Sequence, residues 1–171
     1  MTVLTIFVSD NIYVKEKTKL KTLVIYDSQY GNTKKVAEAI AKPLNNAKLV
    51  NVNAATTSDL DGIELLIVGS PTQGGRATQA VQDFINAIPS KSLDCVKICA
   101  FDTRFKTEDQ RFFIRFLMKT IDFAAPKIDK SLKTKGGKGV VKPQGFYVSD
   151  KKGPLNQGEL DRAFNWLKNV G

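Results

Sequence analysis

Histidine is absent from this chain of 171 residues. A Ser-His-Asp triad, a Cys-His pair, a His-ligated zinc and an imidazole pH switch are therefore excluded before any motif is considered. Acidic residues are scarce, 17 against 26 lysines and arginines, for a formal charge of +9. Only two cysteines occur, Cys95 and Cys99, inside an apolar stretch (94–101) that reads as a strand. Four strand residues span about 13 Å, too far for a disulfide, so both cysteines are expected to be small core residues. No stretch approaches the roughly 20 consecutive apolar residues of a bilayer span. The apolar opening, residues 1–8, lacks a basic leader and meets Asp10 too early for a secretory signal, so the expected location is cytoplasmic. What the chain does have is 42% apolar residues, enough for a buried core, and a length that suits one compact domain.

From Leu20 onward apolar runs alternate with helical patterns. Residues 21–27 form a continuous apolar run, the mark of a strand buried on both faces in a parallel sheet. In residues 33–44, Val36, Ile40 and Leu44 share one helical face and predict the first crossover helix. Residues 47–52 and 63–69 predict the second and third strands, with a polar linker at 56–59. Val81, Phe84, Ile85 and Ile88 mark a helix stopped by Pro89. The fourth strand is predicted at 96–101 and the fifth at 145–149. The last helix is signposted by Asn156 as cap, Glu159 three residues on and a Leu155–Leu160 staple, with Leu160, Ala163, Phe164 and Leu167 as its buried stripe. Five strands interleaved with helices predict a doubly wound, three-layer α/β sandwich over residues 21–171. Residues 1–20 stand outside that plan as an extension: a hairpin, an added edge strand or a disordered leader.

Two other features need a function. Residues 101–152 carry 13 lysines and arginines against 6 acids, a surplus of seven positive charges. Such a surface either attracts an anionic partner or is simply a solvated lysine face. Its lysines between 127 and 142 are not interleaved with stacking aromatics, which argues against nucleic acid. Residues 107–123 open with the capping-box pattern Thr107-Glu-Asp-Gln110 and continue as a helix whose apolar arc covers roughly 240°. Its own domain, a second copy of the chain, a partner or a membrane surface must cover that arc.

In a doubly wound sheet, ligands bind outside the carboxyl ends of the strands, where the strand order reverses. Three loops belong there. Asp27-Ser-Gln-Tyr-Gly-Asn-Thr33 joins the first strand to the first helix, and its backbone N–H groups with Ser28, Asn32 and Thr33 can surround a phosphate. It has neither the Gly-Lys-Ser/Thr ending of a Walker loop nor the Gly-x-Gly-x-x-Gly dinucleotide turn. Gly69-Ser-Pro-Thr-Gln-Gly-Gly-Arg76 follows the third strand, and its glycines and proline permit an unusual turn close to a flat ligand. Phe101-Asp-Thr-Arg-Phe105 follows the fourth and supplies a carboxylate, a guanidinium and an aromatic ring.

Together these loops resemble the flavodoxin family, most specifically at Leu23-Val-Ile-Tyr-Asp-Ser-Gln-Tyr-Gly-Asn-Thr33, which looks like the family's phosphate loop. The order of elements carries the resemblance from about residue 20 to the C-terminus. It implies a five-stranded parallel sheet of order 2-1-3-4-5, noncovalent FMN at the switch point, and electron transfer as the activity. By that resemblance Ser28, Gln29, Tyr30, Gly31, Asn32 and Thr33 hold the phosphate. Pro71, Thr72, Gln73, Gly74 and Gly75 edge the isoalloxazine ring, and Asp102, Thr103, Arg104 and Phe105 approach its other side. It also implies that a glycine peptide beside the flavin N5 turns over on reduction, for which Gly74-Gly75 is the matching position.

This sequence departs from the family pattern at three points. Gln73 stands where a ring-stacking aromatic is common, leaving Phe105 or Tyr30 to compensate. The apolar helix after the fourth strand is additional. The basic surround is opposite in sign to the usual acidic carrier, and is expected to favour the anionic reduced flavin and an acidic redox partner. Two alternatives stay open: an FMN-dependent NAD(P)H or quinone reductase, and a flavin-free interaction module that uses residues 107–123 for homodimer or peripheral membrane contact.

Overall fold

The computed structural model describes residues 20–105, 123–168 and 170. Apart from Leu20 and Phe123, the N-terminal extension and the apolar segment 107–123 lie outside the described residues. The elements run β1 (Thr22–Tyr26), α1 (Asn32–Ala41), β2 (Lys48–Asn51), β3 (Leu65–Pro71), α2 (Gln79–Ala87) and β4 (Lys97–Phe105). They continue with α3 (Ala124–Thr134), β5 (Lys138–Gly139), β6 (Gln144–Val148) and α4 (Glu159–Trp166). The sheet order is β2-β1-β3-β4-β5, with β6 also paired to β4 and every ladder parallel. The 2-1-3-4-5 order implied by the resemblance is thus observed.

The continuous apolar runs occupy the centre of the sheet because helices cover both of its faces. All five residues of β1 are buried, as are the first six of β3. Successive side chains alternate between two cores. Leu23, Ile25, Leu66, Val68, Ile98 and Ala100 meet Val81, Phe84 and Ile85 of α2 and Ile128 and Leu132 of α3. Val24, Tyr26, Leu65, Ile67, Cys99 and Phe101 meet Val36, Ala37 and Ile40 of α1, Ala163 of α4 and Leu167 just past its end. Each fully buried leucine or isoleucine contributes about 1.5–3 kcal/mol through the area it removes from water. In the second core Phe101, Phe146 and Trp166 form a closed triangle of edge-on rings, with centroids 6.0, 6.1 and 6.4 Å apart.

Four sequence expectations need correction. The segment read as the third loop is strand: β4 runs on to Phe105, because Asp102 and Thr103 pair with Ser70 and Pro71 on one side while 101–105 pair with 144–148 on the other. The fifth strand is split. A two-residue β5 pairs with Lys97 and Ile98, and β6 takes over the same edge of β4 further along. The last helix starts from Gly158 in the left-handed region, at φ 82°, rather than from Asn156. The Glu159 carboxylate accepts the Tyr147 N–H at 2.8 Å instead of reaching back to a cap, and Leu160 is 44% exposed, so it forms no staple.

The fourth correction concerns the cysteines. Cys99 is buried in β4, but Cys95 is exposed in the turn before it, at φ 70°. Burial, with a smaller contribution from the nearby Asp129 carboxylate, pushes the Cys99 thiol up to about 12. Since only the thiolate attacks, a disulfide reagent applied at about pH 8 should modify Cys95 rapidly and reach Cys99 only when the protein unfolds. Two thiols reacting at the same fast rate in the native state would contradict this placement.

Candidate functional site

The carboxyl ends of β1, β3, β4 and β6 open onto one rim. In the first loop the Asp27 carboxylate accepts the Ser28 N–H at 2.7 Å, and the Ser28 hydroxyl accepts the Lys34 N–H at 3.1 Å. Gly31, in the left-handed region at φ 82°, turns the chain into α1, whose first turn holds no acidic residue. A β-branched residue would be strained at that φ. Among the described residues no acceptor meets the N–H groups of Tyr30, Gly31, Asn32 and Thr33. Free donors at the positive end of a helix attract an anion.

Two further bonds fix this loop. The Thr33 hydroxyl lies 2.8 Å from that of Thr103, a buried contact that ties α1 to β4. The Asn32 amide donates to the Lys152 carbonyl at 3.1 Å and so ties α1 to the segment after β6.

The second loop is a two-residue turn. Gln73 and Arg76 exchange backbone hydrogen bonds of 2.8 and 3.0 Å across Gly74 and Gly75, whose φ values are 54° and 76°. Positive φ at both central positions is the type I′ pattern that glycine adopts without strain. The Ser70 hydroxyl accepts the Thr78 N–H at 2.9 Å, and the Thr72 N–H donates to the Thr103 carbonyl at 2.9 Å, holding the turn over β4. The Gln73 amide then reaches the Gln29 side chain at 3.0 Å and bridges the first two loops.

These segments enclose a cavity of about 510 Å³ lined by Gln29, Tyr30, Asn32, Thr33, Pro71, Thr72, Gln73, Gly74, Thr103, Arg104, Phe105, Val148 and Lys151. Eleven of the fifteen residues named from sequence meet there. Ser28, Gly31 and Gly75 shape the loops without lining the cavity, and Asp102 is wholly buried beneath it. Its carboxylate takes Arg104 in a two-pronged ion pair, Nε to Oδ1 at 2.5 Å and Nη2 to Oδ2 at 2.9 Å, and accepts the Ala125 N–H at 2.8 Å. Burial pushes the Asp102 carboxyl up, while Arg104, the Ala125 N–H and Thr72 pull it back down. Arg104 itself lies 3.8 Å from the centre of the Phe123 ring.

Sequence reasoning missed Val148 and Lys151. The signal was present, since the rule that nominated the loops after β1, β3 and β4 applies equally to the segment after β6.

A cavity of this size suits a small-molecule cofactor, for which about 300–1,000 Å³ is usual. Among the described residues no carboxylate lines it, and Arg104 and Lys151 are the cations that do. The flavodoxin domain family model matches residues 23–144. The chain belongs to the flavodoxin family.

A curated flavodoxin from Aquifex aeolicus is 34% identical over 91 residues, a match spanning 48% of this chain and about half (49%) of that protein. Among solved structures, a WrbA-like flavodoxin from Agrobacterium tumefaciens superposes with a TM-score of 0.66 at 20% identity, over 88% of this chain and 94% of that one. Flavodoxin 2 from Bacillus cereus gives 0.64 at 18%, over 85% and 94%. An archaeal flavodoxin gives 0.65 at 17%, over 88% and 96%.

These likenesses show the fold. FMN is the cofactor of the flavodoxin family. This flavodoxin's cavity fits it on two counts: the unanswered N–H groups of residues 30–33 match a phosphate dianion, and the volume beside them is large enough for a tricyclic ring. Among the described residues no helix is long and apolar enough to cross a membrane.

Proposed function

We propose that this flavodoxin holds FMN in the cavity and works as an electron carrier. When bound, FMN supplies the redox chemistry, taking up and releasing electrons. The phosphate sits against the N–H groups of residues 30–33 and the side chains of Asn32 and Thr33. Gln73 and Gly74 edge the ring on one side, and Thr103, Arg104 and Phe105 approach the other. Tyr30 and Phe105 both line the cavity and supply the aromatic surface that Gln73 does not.

The observation that carries this reading is the described lining itself: amides, hydroxyls, aromatic and apolar groups and two cations, with no carboxylate among the described residues. Those residues bind, orient and partly shield a flat anionic ligand, which is what a carrier asks of its protein. The rim stays reachable from solvent, with Gln73 and Gly74 exposed and Tyr30 40% exposed. A partner therefore has access to one edge of the site.

The test is anaerobic. Purified protein loaded with FMN should keep an oxidised flavin spectrum when NADH or NADPH is added alone, and bleach when a reduced one-electron protein donor is added. Complete reduction by NAD(P)H within minutes would replace the carrier with the FMN-dependent reductase. Failure of the native protein to take up FMN would leave the flavin-free interaction module.

A further inference from the structure

A second cavity, of about 380 Å³, lies between α2 and α3, on the face of the sheet opposite α1 and α4. Its floor is Ala77, Ile85 and Ile128, only 7%, 3% and 2% exposed. An occupant therefore finds little apolar surface left to cover. The rim carries Arg76, Lys127 and Lys130, and among the described residues neither a carboxylate nor an aromatic ring lines the groove. None of these three cations forms an ion pair with a described residue. Arg76 also closes the Gln73–Arg76 turn, so this groove and the cofactor cavity flank the same loop.

Resting on the carrier reading above, we infer that the α2–α3 groove is the docking face for an acidic one-electron redox protein, whose carboxylates meet Arg76, Lys127 and Lys130. The chemistry of the groove selects this occupant. A nucleotide base needs a ring to stack on, and an amphipathic apolar helix needs open apolar area; the groove offers neither. Three cations with no ion pair among the described residues favour an anionic surface through charge alone. Such recognition gives fast, weak, salt-sensitive encounters, and redox complexes sit at that small, transient end of the interface range. In each encounter one electron leaves the partner's reduced centre, which is oxidised, and enters the flavin. Two encounters, with protons drawn from solvent, complete the reduction.

The experiment uses FMN-loaded protein and a stoichiometrically reduced, acidic plant-type [2Fe–2S] ferredoxin as probe, with flavin bleaching followed by stopped flow. Lys127→Glu/Lys130→Glu is compared with Lys42→Glu/Lys142→Glu, which changes net charge equally at exposed sites outside the groove. Equal FMN content and equal melting temperature establish that both variants are folded. At low ionic strength the groove variant should lose about 10-fold or more in second-order rate and the control less than about 2-fold, a gap that closes in high salt. Arg76→Gln should show a smaller loss in the same direction.

Equal losses in the two double variants would mean that net charge alone matters and would overturn the docking face. An unchanged rate in the groove variant would overturn it too. A wild-type flavin that the ferredoxin reduces at neither salt concentration would instead overturn the carrier reading, and the docking face with it.

Discussion

FMN should bind this flavodoxin at least about 100-fold more tightly than riboflavin, which lacks only the phosphate. Among the described residues, the N–H groups of Tyr30, Gly31, Asn32 and Thr33 at the start of α1 meet no acceptor, and neither the first turn of that helix nor the cavity lining holds an acid to repel the ligand. Hydrogen bonds to a charged group contribute about 1.5–3 kcal/mol each, so two that are lost without replacement already exceed two decades of affinity. Isothermal calorimetry with the two ligands measures the ratio directly. Inorganic phosphate should weaken FMN binding by competition and leave riboflavin untouched. Equal affinities for the two flavins would mean that the loop does not receive the phosphate.

Asp102→Ala should cost about 3–5 kcal/mol of stability, close to the largest effect any single side chain in this protein can have. The carboxylate is fully buried and Arg104 is only 13% exposed, so removing the anion leaves a largely dehydrated guanidinium without its partner. The Ala125 N–H at the start of α3 also loses its acceptor. For a domain of this length, about 1 kcal/mol corresponds to roughly 2–4 °C, so the melting temperature should fall by about 6–20 °C. Asp102→Asn keeps an acceptor for Ala125 and should fall less. Thermal denaturation by circular dichroism decides the matter, and a melting temperature within about 2 °C of wild type for Asp102→Ala would show that the pair contributes nothing net. Since Arg104 lines the cavity, the Ala variant should also bind FMN more weakly at temperatures where it remains folded.

The parts of this fold legible in the sequence were those governed by burial on both faces. The apolar runs at 21–27 and 63–69 read as strands of a parallel sheet, the order of strands and helices around them left few doubly wound topologies, and the family resemblance picked the 2-1-3-4-5 order among them. What stayed hidden was decided by pairing partners. Residues 102–105 mix a carboxylate, a hydroxyl, a guanidinium and a ring, which reads as a loop until β6 is known to lie alongside. Asp102 looked like a ligand-facing group for the same reason, although it faces the start of α3. Lys138 and Gly139 carry no apolar signal, so the first half of the edge strand was invisible. At the candidate site the phosphate loop and the glycine turn were readable because their chemistry is local. Val148 and Lys151 were reachable by the carboxyl-end rule alone, since neither side chain carries a phosphate-loop or glycine-turn pattern of its own.

The ring triangle in the second core gives the protein a built-in optical reporter. Trp166 is the single tryptophan of the chain, and two phenylalanines, one from β4 and one from β6, hold it edge-on. Its fluorescence emission therefore reports on whether the C-terminal helix is seated on the sheet, while far-ultraviolet dichroism sums over every helix. Following both signals through one denaturation would reveal whether that last segment detaches ahead of the rest or melts with it.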